Sequence, residues 1–191
     1  MGRGKEFDET AVLRKAMVLF WRNGYEKTSM QDLVDFMNIH RRSIYDTFGD
    51  KQALFLQALR LFEETAERRV ENQVNTAPSC KAAIRKLFEL TVLSEDGSPP
   101  GCLIVNTAVE LTVHEPVIAV AIDKSFSKTE ALIRSLLEKG QLAGEISGTL
   151  DAAKTAEFIH NSFVGIRVLA KTTKDRQKLH SIIDTTLAVL D

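Results

Sequence analysis

Apolar residues recur at helical spacing along nearly the whole chain, and no segment alternates strictly with β-branched enrichment, so the pattern predicts an all-α fold. The first helix is expected to start after Asp8, whose carboxylate suits an N-cap, with Phe7 ahead of it as a hydrophobic staple. Val12, Leu13, Ala16, Met17, Leu19 and Phe20 form its buried stripe, and Gly24 ends it in the left-handed conformation that other residues resist. Thr28 or Ser29 caps a short second helix, about Met30 to Met37, and Asn38 supplies the turn because asparagine tolerates positive φ. A third helix follows at once, about Arg41 to Thr47, closed by Phe48-Gly49-Asp50. Two short helices joined by a tight turn behind a longer one describe a helix-turn-helix.

Beyond it, a long helix runs from Lys51 to about Asn75 with Leu54, Ala58, Leu61, Phe62 and Ala66 on one face, long enough to bridge two domains. Pro78 breaks the pattern, and Cys80 to Leu93 reads as the next helix. Asp96-Gly97-Ser98-Pro99-Pro100-Gly101 is the clearest loop. Cys102 to Val113 forms another helix, and Pro116 opens a longer one to about Lys139, with Gly140 and Gly144 as its terminators. Asp151 to Lys171 and Lys174 to Leu190 close the chain as an α-hairpin. There are no repeats and no low-complexity tracts.

The length of 191 residues is ample for a core that needs no disulfide or metal. Cys80 and Cys102 stand far apart with no secretory leader, so a reduced, cytoplasmic setting is expected. Apolar stretches such as Val117 to Ile122 fall far short of the roughly 20 residues that span a membrane. A net charge of -1 excludes a uniformly basic polyanion binder, but residues 1 to 60 carry ten Lys and Arg against eight Asp and Glu, so the positive excess is N-terminal. Glu157-x-x-His160 has the spacing of dimetal helical bundles, which need a second copy; Glu110-x-x-x-His114 has the wrong interval. No nucleotide loop, nucleophile motif or zinc spacing appears, so no catalytic residue, metal or cofactor is expected.

Asn23-Gly24-Tyr25-Glu26-Lys27-Thr28-Ser29-Met30-Gln31-Asp32-Leu33 and Ile44-Tyr45-Asp46-Thr47-Phe48-Gly49-Asp50-Lys51-Gln52-Ala53-Leu54 together resemble the DNA-binding domain of TetR-family regulators. The turn carries Met37-Asn38 where the family often has Ala-Gly. The C-terminal half resembles the family more loosely, at Gly101 to Ile104, at Lys139-Gly140-Gln141-Leu142 and in the closing hairpin. The resemblance implies a helix-turn-helix DNA-binding domain over residues 1–50 and a helical ligand-binding and dimerisation domain over 51–191. It implies a homodimeric regulator, read as a repressor that leaves a palindromic operator on binding a small molecule, with an activator, or an adaptor that has lost DNA binding, as the alternative.

A recognition helix presents its N-terminal residues to base edges, which here are His40, Arg41, Arg42 and Ser43; Gln31 is the further candidate. Thr28, Ser29, Tyr45, Thr47 and Lys51 are the candidates for phosphate contact. An Arg-Arg pair on an ordinary surface helix is only a solvated face, and Tyr45 has a plain core alternative. Asp46 is expected to point away from phosphate or to accept from a cytosine amino group. In the closing hairpin, Phe158, Ile159, Ser162, Phe163, Ile166 and Leu169 make one stripe and Leu179, Ile182, Ile183, Thr186, Leu187 and Leu190 another. They are read as the dimer interface, with burial in the subunit's own core as the alternative.

Phe62, Phe88, Cys102, Asn106, Glu110, Phe126 and Phe163 are the candidates for an effector pocket. Asn106 and Glu110 lie one turn apart on an otherwise apolar helix, and a buried carboxylate needs a partner, which points to a cationic or hydrogen-bonding effector. Cys102, at a helix N-terminus, is either a small buried hydrophobe or a thiol of lowered pKa that senses electrophiles.

Overall fold

The computed structural model describes residues 7–92 and 98–191, and among them there are helices and no strand. The helices are α1 (Glu9–Asn23), α2 (Met30–Met37), α3 (Arg41–Phe48), α4 (Lys51–Val74), α5 (Cys80–Val92), α6 (Leu103–Leu111), α7 (Pro116–Leu142), α8 (Ala152–Thr172) and α9 (Arg176–Leu187), with a short 3-10 turn over Ala188–Leu190. The expected helix end at Leu93 and the loop start at Asp96-Gly97 lie outside the described residues.

Local chemistry fixes the first three helices. Asp8 accepts the N–H groups of Thr10 and Ala11 at 2.9 and 3.2 Å, satisfying donors that no earlier turn can reach. Ser29 and Asp32 form a reciprocal capping box on α2. Asn38 sits at φ 58°, ψ 46°, the left-handed conformation expected of the turn, and Lys15 on α1 donates to the Met37 carbonyl at 3.3 Å. The angle between α2 and α3 is therefore held at both ends of the turn. Asp50 accepts from the Ala53 N–H at 2.8 Å to start α4, and Gln57 reaches back to the Phe48 carbonyl at 2.9 Å.

Packing forms two apolar clusters. In one, Ala16 and Phe20 of α1, Leu33 of α2, Ile44 of α3 and Phe55 of α4 meet Leu103 to Val105 and Leu111 of α6 and Ile118 and Ile122 of α7. Phe20 and Phe55 contact edge-to-face at 4.9 Å, with Tyr25 against Phe55 at 4.8 Å. The other joins Ile84 and Phe88 of α5, Ile133 and Leu137 of α7, Ile159 and Ile166 of α8, and Ile183 and Leu187 of α9. The first cluster draws residues from both sides of residue 50, so the helix-turn-helix shares its core with α4, α6 and α7.

Two expectations need correction. α6 stops at Leu111 rather than Val113, and a turn leads to Pro116. Gly140 does not terminate α7, which continues to Leu142. It is the point where α7 crosses α5: a Cβ there would meet the Cys80 Cβ at 2.7 Å and Ile146 Cδ1 at 2.9 Å. Burial, and then the Glu145 carboxylate, push the Cys80 thiol up to about 11, so it carries little thiolate at neutral pH. Overpacking of this kind costs about 1 to 3 kcal/mol. Gly140→Ala is expected to lower unfolding stability by that amount, measured by urea denaturation, and unchanged stability would contradict the close crossing.

Candidate DNA interface and effector cavity

The predicted base-reading residues lie at the surface of the helix-turn-helix. His40 is the N-cap of α3 without a side-chain capping bond, Gln31, His40, Arg41 and Arg42 are exposed, and Ser43 is half-buried. Arg42 Nε stands 3.5 Å from Asp46 Oδ2 one turn along, so Asp46 is balanced by a cation on its own helix. Arg41 lies over the Tyr45 ring at 5.9 Å, and Tyr45 is 44% exposed, which removes the core alternative. Gln31 donates to Asp35 at 2.9 Å, a surface bond that exchanges readily for another acceptor.

The phosphate candidates divide. Thr47 and Lys51 are half-buried, and the Lys51 ammonium rests 4.2 Å from the centre of the Tyr25 ring. Thr28 is a correction: it is fully buried, and its hydroxyl donates to the Gly24 carbonyl at 2.6 Å, closing the turn after α1. Ser29 is exposed, but its hydroxyl donates to Asp32 at 2.7 Å. These bonds from Ser29 hold the Asp32 carboxyl below the usual carboxylate range. A Thr/Ser pair before a helix announces a cap; which hydroxyl faces outward depends on the turn.

Glu110 is the second correction. It does not face a cavity. Its carboxylate accepts the backbone N–H of Tyr25 at 3.1 Å and of Glu26 at 2.8 Å, binding α6 to the end of α1. Gly24 has no side chain for this reason as well as for its φ of 85°: a Cβ there would stand 2.9 Å from both carboxylate oxygens. Gln52 at the start of α4 donates to Glu115 at 2.8 Å, a second polar tie between these regions. The partner that Glu110 required is protein backbone, so the argument for a cationic effector lapses.

Between the helix-turn-helix and the rest of the bundle lies a cavity of about 340 Å³, lined by α1, α4, α5, α8 and the segment ahead of α6. Of the effector-pocket candidates, Phe62, Cys102 and Phe163 line it. Phe88 is instead fully buried against Phe163 at 5.2 Å, Phe126 packs on His160 at 5.5 Å, and Asn106 accepts from Lys171 at 3.3 Å. Trp21 and Arg167 also line the cavity and were missed. An arginine amid the apolar pattern of α8 was the available signal. The Cys102 thiol is 3% exposed. Glu157 is exposed whereas His160 is buried with Nδ1 3.8 Å from Glu130, so the Glu-x-x-His pair does not converge.

The hairpin stripes are partly a third correction. Ile159, Phe163, Ile166, Leu179, Ile183, Thr186, Leu187 and Leu190 are buried in the protomer's own core, and Ser162, Leu169 and Ile182 are half-buried. Phe158 faces outward at 49% exposure, with Val168 and Val189 also exposed. Helical spacing reports the period of a stripe and not which neighbour covers it.

An outward α3 headed by two arginines, carried by a helix-turn-helix on a helical bundle, defines a DNA-binding transcriptional regulator. Residues 12–58 match the family described as bacterial regulatory proteins, tetR family, and residues 80–186 match the tetracyclin repressor-like C-terminal domain. The chain belongs to the TetR family. It is 34% identical to the HTH-type transcriptional regulator YezE of Bacillus subtilis (strain 168), over 100% of both chains. It is 30% identical to the HTH-type transcriptional repressor ComR of Escherichia coli (strain K12), over 97% of this chain and 90% of that one. Among solved structures, it is similar to a cysteine-substituted TetR family transcriptional regulator CifR complexed with 26bp double-strand operator DNA, with TM-score 0.91, 28% identity and 100% of each chain covered. No described helix is long and apolar enough to cross a membrane.

Removing the Glu110 carboxylate loses two charge-assisted bonds and takes the acceptor from the part-buried Tyr25 N–H. Glu110→Ala is expected to cost about 1 to 3 kcal/mol of unfolding free energy. Equal denaturation midpoints for variant and wild type would show that the tie between α6 and α1 contributes nothing.

Proposed function

We propose that this regulator is a ligand-responsive homodimeric repressor that occupies a palindromic operator and leaves it when a small molecule enters the α1–α8 cavity. The observation that carries the reading is that α1, which supports the recognition helix, also supplies Arg14, Met17 and Trp21 to the cavity wall. A ligand there touches the DNA-binding unit directly. The repressor ComR among its relatives favours repression over activation, and the operator complex of CifR supports a duplex DNA partner.

In this reading His40, Arg41, Arg42, Ser43 and Gln31 face base edges, and Tyr45, Thr47 and Lys51 face phosphates. One helix-turn-helix reads one half-site, so a two-fold dimer is required for useful affinity. The exposed edge of α8 and α9, with Phe158, Val168 and Val189, is the proposed dimer surface, and Gly165 offers open space on α8 for close approach. Ligand releases DNA only to the extent that it prefers an arrangement with wrongly spaced recognition helices.

Each bidentate arginine–guanine contact is worth about 1 to 3 kcal/mol. Arg41→Ala and Arg42→Ala are each expected to weaken operator binding by about tenfold or more in a gel-shift assay, with the thermal midpoint retained. Unchanged affinity in both variants would refute the assignment of α3. Phe158→Glu is expected to yield a monomer by light scattering with intact helicity; a persistent dimer would move the interface elsewhere.

A further inference from the structure

The cavity of about 340 Å³ has Arg14 and Arg167 in its wall, and no carboxylate stands among its described lining residues. Across a shared wall of Phe62, Ala66, Val70, Leu87, Phe163 and Arg167 lies a neighbouring cavity of about 330 Å³ with the opposite character. There Glu63, Glu67 and Glu71 join the lining together with Lys128, which pairs with Glu67 at 2.6 Å. Arg167 thus stands between an acidic lining on one side and a lining without a described carboxylate on the other.

Two fully buried donors at the first cavity have no acceptor, Trp21 Nε1 and Arg167 Nε. Both are held by aromatic contacts rather than by polar ones. The Trp21 ring stands edge-on to Phe62 at 4.9 Å, and the Arg167 guanidinium lies over the Phe163 ring at 3.9 Å. A guanidinium stacked on a ring keeps its in-plane N–H groups free for a planar acceptor. A buried donor without an acceptor carries a desolvation penalty that an acceptor brought in by a ligand would recover. Met17, Leu90 and Cys102 complete an apolar surround.

We propose that the effector is a small organic carboxylate with an aromatic or aliphatic body, whose carboxylate accepts from Arg167 and from the Trp21 indole N–H. The proposal rests on the ligand-responsive reading above and names the class of ligand for that site. Because Trp21 belongs to α1, the same carboxylate that satisfies the bundle's arginine pulls on the helix that supports α3. The charge logic is opposite to that suggested by Glu110 in the sequence, since that carboxylate is spent on backbone.

The test is calorimetric titration of the full chain with 2-naphthoate, its neutral amide 2-naphthamide, and 2-naphthylmethylammonium. Naphthoate is expected to bind about tenfold or more tightly than the amide, and the ammonium more weakly than both. Arg167→Met keeps the apolar stem and should erase the preference for carboxylate while still binding the amide. Trp21→Phe keeps an aromatic side chain, loses the donor and should reduce the preference. If Arg167→Met does not fold, judged by circular dichroism, the Trp21→Phe result decides alone. Equal or tighter binding of the amide or the ammonium, an undiminished preference in the folded variants, or no binding of any probe overturns the proposal. Gel shift of operator DNA by the probe-free protein is read separately: operator binding without probe binding removes the carboxylate and leaves the regulator, and loss of operator binding removes the regulator whatever the probes do.

Discussion

Glu110 sets the frame on which the rest of this molecule depends. Its carboxylate holds the first two N–H groups beyond Gly24, and so fixes the exit of α1 against α6. Charge-assisted bonds to backbone donors are short and directional, unlike the apolar contacts around them. Leu103 to Val105 and Leu111 on the same helix share a core with Ala16, Phe20 and Phe55. The helix-turn-helix is thus clamped to the bundle by an apolar surface and by polar ties, of which Glu110 supplies the one to α6.

That clamp gives the cavity its consequence. Met17 and Trp21 on one face of α1 look into it, while Ala16 and Phe20 pack with α4 and α6. A shift of α1 at the cavity is transmitted to α2 and α3 because Lys15 caps α2, and the Asn38 turn has little freedom. Packed interiors respond to such shifts by moving as units rather than by deforming. In the proposed ligand-responsive dimer, a ligand needs only a modest preference for one placement of α1 to alter the spacing of the two recognition helices.

Much of the fold was legible because it is written locally. Asp8, the cap at Ser29 and Asn38 each do in the structure what their position next to an apolar stripe implies. Gly140 was misread because a glycine near a helix end suggests a terminator, whereas its actual reason is a neighbour 60 residues away, Cys80. Thr28 and Glu110 were misassigned for a related cause: polar residues amid apolar ones signal a buried partner, but their sequence positions do not say which partner. The Ile159 to Leu187 stripes gave the correct period and not the facing surface, since hairpin helices bury one side on their own subunit. Trp21 and Arg167 went unseen because a cavity is made by elements distant in the chain.

The central claim is that two copies of α3 read a duplex together. Selection of DNA from a random pool by the purified protein, followed by sequencing, tests it most directly. The account predicts an enriched inverted repeat with half-site centres about 34 to 36 Å apart along the duplex, or a multiple of that spacing. Enrichment of a single asymmetric half-site, or no enrichment over the starting pool, would contradict it.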